Sequence, residues 1–334
     1  MMMRMKSLLA GTVLLGSLAL VPNAASAQQM HVALGDVPEM ETLLFLVGLE
    51  RAKEKGLEVE LTAFSGEELA IQAILNGQAD IGVGSPYAVI QNAGVPVRMI
   101  YQMSQIIFFP VASTEIKDWK DMEGVSMAYH QRGGPLEPLA AIKAEREGVT
   151  LGEPTYIPGS ENRVVALQQG HVKVALIDLL NKNMIIEQNP DKFHVLPWLD
   201  ELVTDEAIFA RQDYIEENRD AVKLLLTELL RVTREICEDP TVIAKAREQY
   251  DLIPDMPQEL VDQIASYYEE AIEAGVYSCT GGKPSGAETD IEVFSTAGQL
   301  KGDNLQVEDF WNFEIVQEVQ QELGVDPNAP KSGG

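Results

Sequence analysis

The chain has 334 residues, 46% of them hydrophobic, with 52 acidic against 25 basic side chains and a formal net charge of −27. A balance this acidic argues against nucleic acid and against anionic membrane surfaces as partners. Two cysteines are too few for a disulfide framework or a thiolate metal site, and the length exceeds one typical core and calls for two domains.

Arg4 and Lys6 precede an apolar run, Leu8–Val21, that is too short to span a bilayer. Ala25-Ser26-Ala27 then carries small residues at the spacing of a secretory cleavage site. Residues 1–27 read as a signal peptide cut after Ala27. What remains of the 334 residues carries a net charge two units more negative than −27, because Arg4 and Lys6 are lost. No later run is apolar for long enough to cross a membrane. The mature protein is therefore expected outside the cytoplasm, in the periplasm, soluble and without direct membrane insertion. In that oxidising setting Cys237 and Cys279 can pair with each other, which sequence alone leaves open.

The mature chain opens with a predicted strand at Met30–Leu34 and a loop, Gly35-Asp36-Val37-Pro38-Glu39. A helix over Glu41–Lys55 follows, stopped by Gly56. Leu57–Ala63 alternates apolar and polar residues as a half-exposed strand does. Ser65 with Glu68 three residues on fits a capping box for a helix over Glu67–Asn76. Gly77 ends that helix, an apolar strand runs over Ala79–Val83, and Gly84-Ser85-Pro86 leads into a helix over Tyr87–Ala93. A strand-to-helix turn of this kind places backbone N–H groups and a hydroxyl at the carboxyl end of a sheet, where open α/β folds bind ligands. About ninety residues later ALQQGHVKVAL, Ala166–Leu176, repeats the order of helix, glycine and aliphatic strand. A Gly/Ser turn precedes each copy: Phe64-Ser65-Gly66-Glu67 and Pro158-Gly159-Ser160-Glu161. Glycine-bounded βα units are common in any α/β protein, but the pairing also suits two similar lobes facing each other across a cleft.

Val97–Ile106 reads as a strand, and the polar, charged stretch Thr114–Glu123 reads as the first crossing between lobes. The second lobe is predicted as strands at Val125–Tyr129, Thr155–Ile157, Lys173–Ile177 and Phe193–Leu196 alternating with helices at Leu136–Glu147, Asn162–Gln169 and Leu179–Gln188. Pro197–Thr204 is the expected return crossing and Glu206–Ala210 a last strand. Helices follow at Tyr214–Cys237, Thr241–Tyr250, Glu259–Ala274 and Val307–Leu323, with Tyr277–Gly302 irregular between the last two. The domains expected are thus a first lobe over 28–113, a second over 114–202 and a mainly helical return to the first over 203–334. Alternating strands and helices imply largely parallel sheets.

At this point the residues resemble a known family. Val32–Leu34, Lys55-Gly56-Leu57-Glu58-Val59-Glu60, Ala73…Asn76-Gly77-Gln78-Ala79-Asp80-Ile81-Gly82-Val83-Gly84 and Ala93-Gly94-Val95-Pro96-Val97 follow the order seen in solute-binding proteins of ABC importers. The subgroup is the one that takes up taurine, alkanesulfonates, nitrate and thiamine-pyrimidine precursors. The likeness covers Met30 to Trp198. It implies an α/β, two-lobe periplasmic-binding-protein fold (type II, Venus-flytrap) with a helical C-terminal segment. It also implies a monomer that closes on a small-molecule solute and docks to a permease, without a cofactor. Carried onto this sequence, the family's ligand contacts fall at Pro38, Glu39 and Glu41, Ser65 and Gly66, Ser85, Pro86 and Tyr87, Arg132, Gly133 and Gly134, Ser160 and Asn162, and Asp178.

Two departures bear on the ligand. Sulfonate and nitrate binders often show a Gly-Ser type of turn where this chain has Gln131-Arg132-Gly133-Gly134, and Glu39 and Glu41 repel an anion held at that helix start. An organic ligand (sulfonate, carboxylate or pyrimidine-like) is therefore expected over a simple inorganic anion. Arg132 can meet an acidic group two-pronged or stand as a solvated surface arginine. With Asp178, whose carboxylate needs a partner if buried, it suits a ligand with one acidic group and one donor. Ser65 and Ser85 serve equally as helix caps, and Tyr87 equally as packing.

No enzyme is expected. His31, His130, His171 and His194 lack a metal-ligand spacing, and neither a GxSxG nucleophile turn nor a GxxxxGK[ST] phosphate loop occurs. A secreted enzyme on the same fold and the ligand-binding subunit of a sensor are the alternatives.

Overall fold

Two five-stranded sheets organise the chain in the computed structural model, which describes residues 29–93, 96–130, 132, 135–199, 203–296 and 298–328. The signal-peptide reading lies outside the described residues, as do Gly133 and Gly134. The chain begins with β1 (Gln29–Leu34), α1 (Leu43–Glu54), β2 (Glu58–Ala63), α2 (Glu67–Leu75), β3 (Ile81–Gly84), α3 (Tyr87–Ala93) and β4 (Val97–Gln102). It continues through β5 (Phe109–Ser113), a 3-10 turn at Trp119–Met122, β6 (Met127–Tyr129), α4 (Leu136–Glu147), β7 (Thr155–Tyr156), α5 (Ser160–Gln168), β8 (Val174–Ile177), α6 (Leu179–Gln188) and β9 (Phe193–Val195). After β10 (Ala207–Arg211) it is helical: α7 (Gln212–Glu217), α8 (Arg219–Glu238), α9 (Thr241–Gln249), α10 (Gln258–Val261), α11 (Ile264–Ala274), α12 (Pro284–Thr296) and α13 (Glu314–Leu323).

The sheets have strand orders β2-β1-β3-β10-β4 and β7-β6-β8-β5-β9. The same plan occurs twice. In each sheet the one strand running against its neighbours is the strand that has just arrived from the other, β10 in the first and β5 in the second. The direction follows from the connection: a chain entering at the carboxyl edge of a parallel sheet can only run back along it. The repeated motifs occupy matching central places, α2–β3 and α5–β8. Gly77 and Gly170 turn between helix and strand at φ +69° and +72°, a conformation open to glycine at little cost.

Several expectations need correction. β5 is hydrogen-bonded to β8 and β9 in the second sheet, so the first passage between sheets runs over 103–108 and not over Thr114–Glu123. That passage is apolar because it is covered, and so a composition change does not mark it; Met103 and Ile106 are buried. The capping box is absent: Gly66 occupies the N-cap of α2 with no side-chain bond. The stretch expected to be irregular contains α12, whose Ala287 and Phe294 join the first core while Val293 joins the second. The run expected as one closing helix holds a 3-10 turn at Val307–Asp309, then Trp311 beside Met99 of β4, then α13.

Cys237 at the end of α8 is disulfide-bonded to Cys279 ahead of α12. The two passages between sheets are bonded to each other: Ile106 N–H donates to the Val203 carbonyl at 2.7 Å, and Met103 and Ser104 both donate to the Glu206 carbonyl at 2.9 and 3.1 Å. Buried Asp290 fastens this pair to the first lobe. It accepts from the Thr204 amide at 2.8 Å, the Thr204 hydroxyl at 2.6 Å and the Tyr87 hydroxyl at 2.6 Å. The Thr204 hydroxyl in turn accepts from Gln102 at 2.8 Å. Truncating Asp290 strands these buried donors. Asp290→Ala is therefore expected to cost about 3–5 kcal/mol in chemical denaturation, and an unchanged unfolding midpoint contradicts that role.

Candidate functional site

The carboxyl edge of the first sheet collects acidic groups from three pieces of chain. Asp36, Glu39 and Glu41 lie in the loop between β1 and α1. Glu67 opens α2 just after β2. Asp205 and Glu206 arrive with the second passage, because antiparallel β10 starts beside Gly84 at the end of β3. The first loop is firmly held. Thr42 Oγ1 accepts from the Glu39 amide and donates to the Glu39 carbonyl, both at 2.9 Å. The Tyr268 hydroxyl donates to the Met40 carbonyl at 3.0 Å and accepts from the Leu44 amide at 3.0 Å, while Tyr277 donates to the Glu41 carbonyl at 3.3 Å.

The carboxyl edge of the second sheet faces this acidic row. His130 follows β6, Ser160 and Glu161 follow β7, and Asp178 follows β8. Arg163 is buried beneath them with each nitrogen of its guanidinium engaged. Nε donates to the Leu176 carbonyl at 2.7 Å, Nη1 to the Ile157 carbonyl at 2.9 Å and Nη2 to Ser160 Oγ at 2.7 Å. Lys182 and Asn183 of α6 reach across to Glu270 of α11, Lys182 at 3.1 Å.

Enclosure and mutual repulsion raise the carboxyls. Burial pushes Glu39 up to about 7, helped by Asp36, Asp178 and Glu161. Burial, then Asp205, brings Glu67 to about 7, against a lowering hydrogen bond from the Ser85 amide. Burial, then Asp36, brings Asp205 to about 6. Burial also lifts Asp36. It drives Glu41 and Glu206 well above the usual carboxylate range, with neighbouring carboxylates adding to it. The charges acting on Glu39, Glu41, Asp205 and Glu206 are all carboxylates. His130 is lowered, first by burial and then by Arg163, and so brings little positive charge at neutral pH.

The residues proposed from sequence fall in different places. Pro38, Glu39 and Glu41 share the first loop, and Ser65 and Gly66 lie at the start of α2. Ser85 is half-buried, and its amide is taken by Glu67. Pro86 is buried in the first lobe. Tyr87 points away from the cleft into the core, donating to Asp290 and accepting from the Trp311 indole at 2.6 Å. A tyrosine opening a helix has an apolar face to bury, and here the lobe takes it. Ser160 Oγ serves Arg163 and the Asp178 amide, and Asn162 is exposed and donates to the Pro158 carbonyl at 2.8 Å. Asp178 caps α6, accepting from the Asn181 amide at 2.8 Å and the Asn181 side chain at 2.9 Å. Arg132 is exposed, its guanidinium 4.9 Å from the centre of the Tyr156 ring. Asp36, Glu67, Asp205 and Glu206 were not among those candidates. Glu67 directly follows Ser65-Gly66 and was within reach of the same argument; Asp205 and Glu206 precede a strand, and only its antiparallel direction brings them to this edge.

A family model described as NMT1/THI5 like matches residues 52–243. Among solved structures, the fold matches a putative periplasmic sulfonate-binding protein from Methylobacillus flagellatus KT at 17% identity and TM-score 0.65, covering 92% of this chain and 99% of that one. It matches the periplasmic aliphatic sulphonate-binding protein of Escherichia coli at 18% identity and TM-score 0.60, covering 83% and 95%. It also matches the periplasmic nitrate-binding protein of Synechocystis PCC 6803 at 13% identity and TM-score 0.64, covering 92% and 93%. No curated protein matches by sequence.

A carboxyl raised on folding holds its proton more tightly in the native state. The stability it contributes is full below about pH 4.5 and is lost as pH rises through about 7. For Glu67 this corresponds to about 2–3 kcal/mol, discounted for its partial contact with solvent. The empty protein is expected to melt at a higher temperature at pH 5 than at pH 8, with a smaller difference in Glu67→Gln. A melting temperature that rises across that interval contradicts the assignment.

Proposed function

The chain belongs to the NMT1/THI5-like family, and on that premise we propose that it is an extracytoplasmic solute-binding protein that captures a small organic solute between its lobes and delivers it to the permease of an ABC importer. Its fold is that of the periplasmic binding proteins. The reading rests above all on one observation: two sheets of identical strand plan turn their carboxyl edges toward each other, joined by two hydrogen-bonded passages. We place the lobes at those passages, the first over 29–102 and 207–328 and the second over 109–195. The paired passages act as the hinge, since a pair of short strands can bend and twist while the sheets on either side stay rigid.

Export with cleavage after Ala27 belongs to the same proposal, as does action by binding and release without chemistry on the solute. Polar groups converging from both lobes supply the contacts that closure completes. The acidic first lobe favours a solute that brings positive charge over a sulfonate or carboxylate, because a cation stabilises Glu39, Glu41 and Glu206 as they ionise and an anion opposes it.

Closure is testable before the solute is identified. A low-molecular-mass extract of cells or medium that raises the melting temperature contains a ligand of the native state. The same extract should reduce the radius of gyration in small-angle scattering. Unchanged scattering from a protein so stabilised contradicts a closing cleft.

A further inference from the structure

Resting on the solute-binding reading of the cleft, we infer that the solute is an organic cation with at least two N–H-bearing nitrogen groups, as in a diamine, an amidine or a guanidine, and that anions are excluded. Glu41 and Glu206 carry the argument. Each is enclosed by protein while keeping part of its surface open to the cleft. Neither carboxylate accepts a hydrogen bond from any described residue. Three phenols surround Glu41, yet Tyr268 and Tyr277 donate to the Met40 and Glu41 carbonyls and leave the carboxylate unserved. Glu206 has only Asp205, Glu67, Asp36 and Glu39 for charged neighbours. An enclosed carboxylate without a donor is costly to the fold. Two of them on separate elements, both open to one cleft, define a place that paired N–H donors complete.

A second observation comes from the donor that an anion needs. The amide of Ser85, at the turn after β3, lies beside the carboxylate of Glu67 and favours its charged form. Two glycines permit this. A Cβ on Gly35 would lie 2.8 Å from Glu67 Cα, and one on Gly84, at φ +152°, would lie 3.3 Å from the Glu67 carboxyl carbon. The chain's own carboxylate thus fills the amide that a sulfonate or nitrate would seek there. Across the cleft, Arg163 is buried, and each nitrogen of its guanidinium already donates to a carbonyl or to Ser160. Among the described residues no group of three His, Cys, Asp or Glu is arranged to hold a metal ion, so the spread of carboxylates suits an extended organic cation.

The test compares agmatine, putrescine and benzamidine with ethanesulfonate, taurine and nitrate, each at millimolar concentration, by melting temperature and then by calorimetry at pH 8. At least one of the three cations is expected to bind, and none of the others. Glu206→Gln and Glu41→Gln are expected to weaken that binding at least about tenfold while melting no lower than the parent, since each removes an enclosed carboxyl crowded by other carboxylates. Binding of an anion without binding of a cation overturns the inference and leaves the solute-binding reading intact. Cation binding that both variants retain also overturns it, because the cation then sits elsewhere. Silence from all probes overturns the cation class, while the extract experiment still reports separately on whether the cleft takes up a solute.

Discussion

Carboxylates gathered at a poorly solvated edge repel one another, and no arrangement of the surrounding chain in the empty protein removes that repulsion. In water two unit charges at 4 Å interact by about 1 kcal/mol, and near a protein surface by about four times that. Asp36 acts in this way on Glu39, Glu67, Asp205 and Glu206, and Glu39, Asp205 and Glu206 act on Glu41. The empty cleft answers by holding protons. A solute that supplies positive charge replaces those protons, so charge selection and proton release are two sides of one equilibrium.

Topology is what brings the acids together. Because the incoming strand of each sheet runs against its neighbours, the passage that precedes it ends at the carboxyl edge, where the loops after the parallel strands also lie. The paired passages therefore also form the floor of the cleft. Asp205 and Glu206 sit on the segment whose backbone pairs with Met103 and Ser104, so charge on the cleft floor and the geometry of the passages are linked directly. Asp290, bonded to Thr204 and Tyr87, and the α12 helix, whose side chains enter both cores, keep that segment in register with the first lobe.

Much of this was legible in the residues themselves. The glycine-bounded units around Gly77 and Gly170 announced two similar halves, and the alternation of Leu57–Ala63 matched an edge strand whose polar residues face out. Glu39 and Glu41 were recognisable as hostile to an anion from their place before α1. Other features depended on partners distant in sequence. Nothing local distinguishes Tyr87 as a core residue until Asp290 and Trp311 are beside it. Asp205 and Glu206 look like surface acids until the direction of β10 is known. The first passage is not legible because a covered connection is as apolar as a strand. Arg132, chosen for its flanking glycines, rests over Tyr156, and Asp178 makes a helix cap.

The central claim is that the empty cleft holds several carboxyls protonated near neutral pH. Carbon NMR of side-chain carboxyls, with Glu39, Glu41, Glu67 and Glu206 assigned through single Gln variants, measures this directly. The account predicts that Glu39 and Glu67 titrate near 7 and that Glu41 and Glu206 titrate well above the usual carboxylate range. Ordinary titration of all four, near the value of a free glutamate at about 4.3, would contradict it.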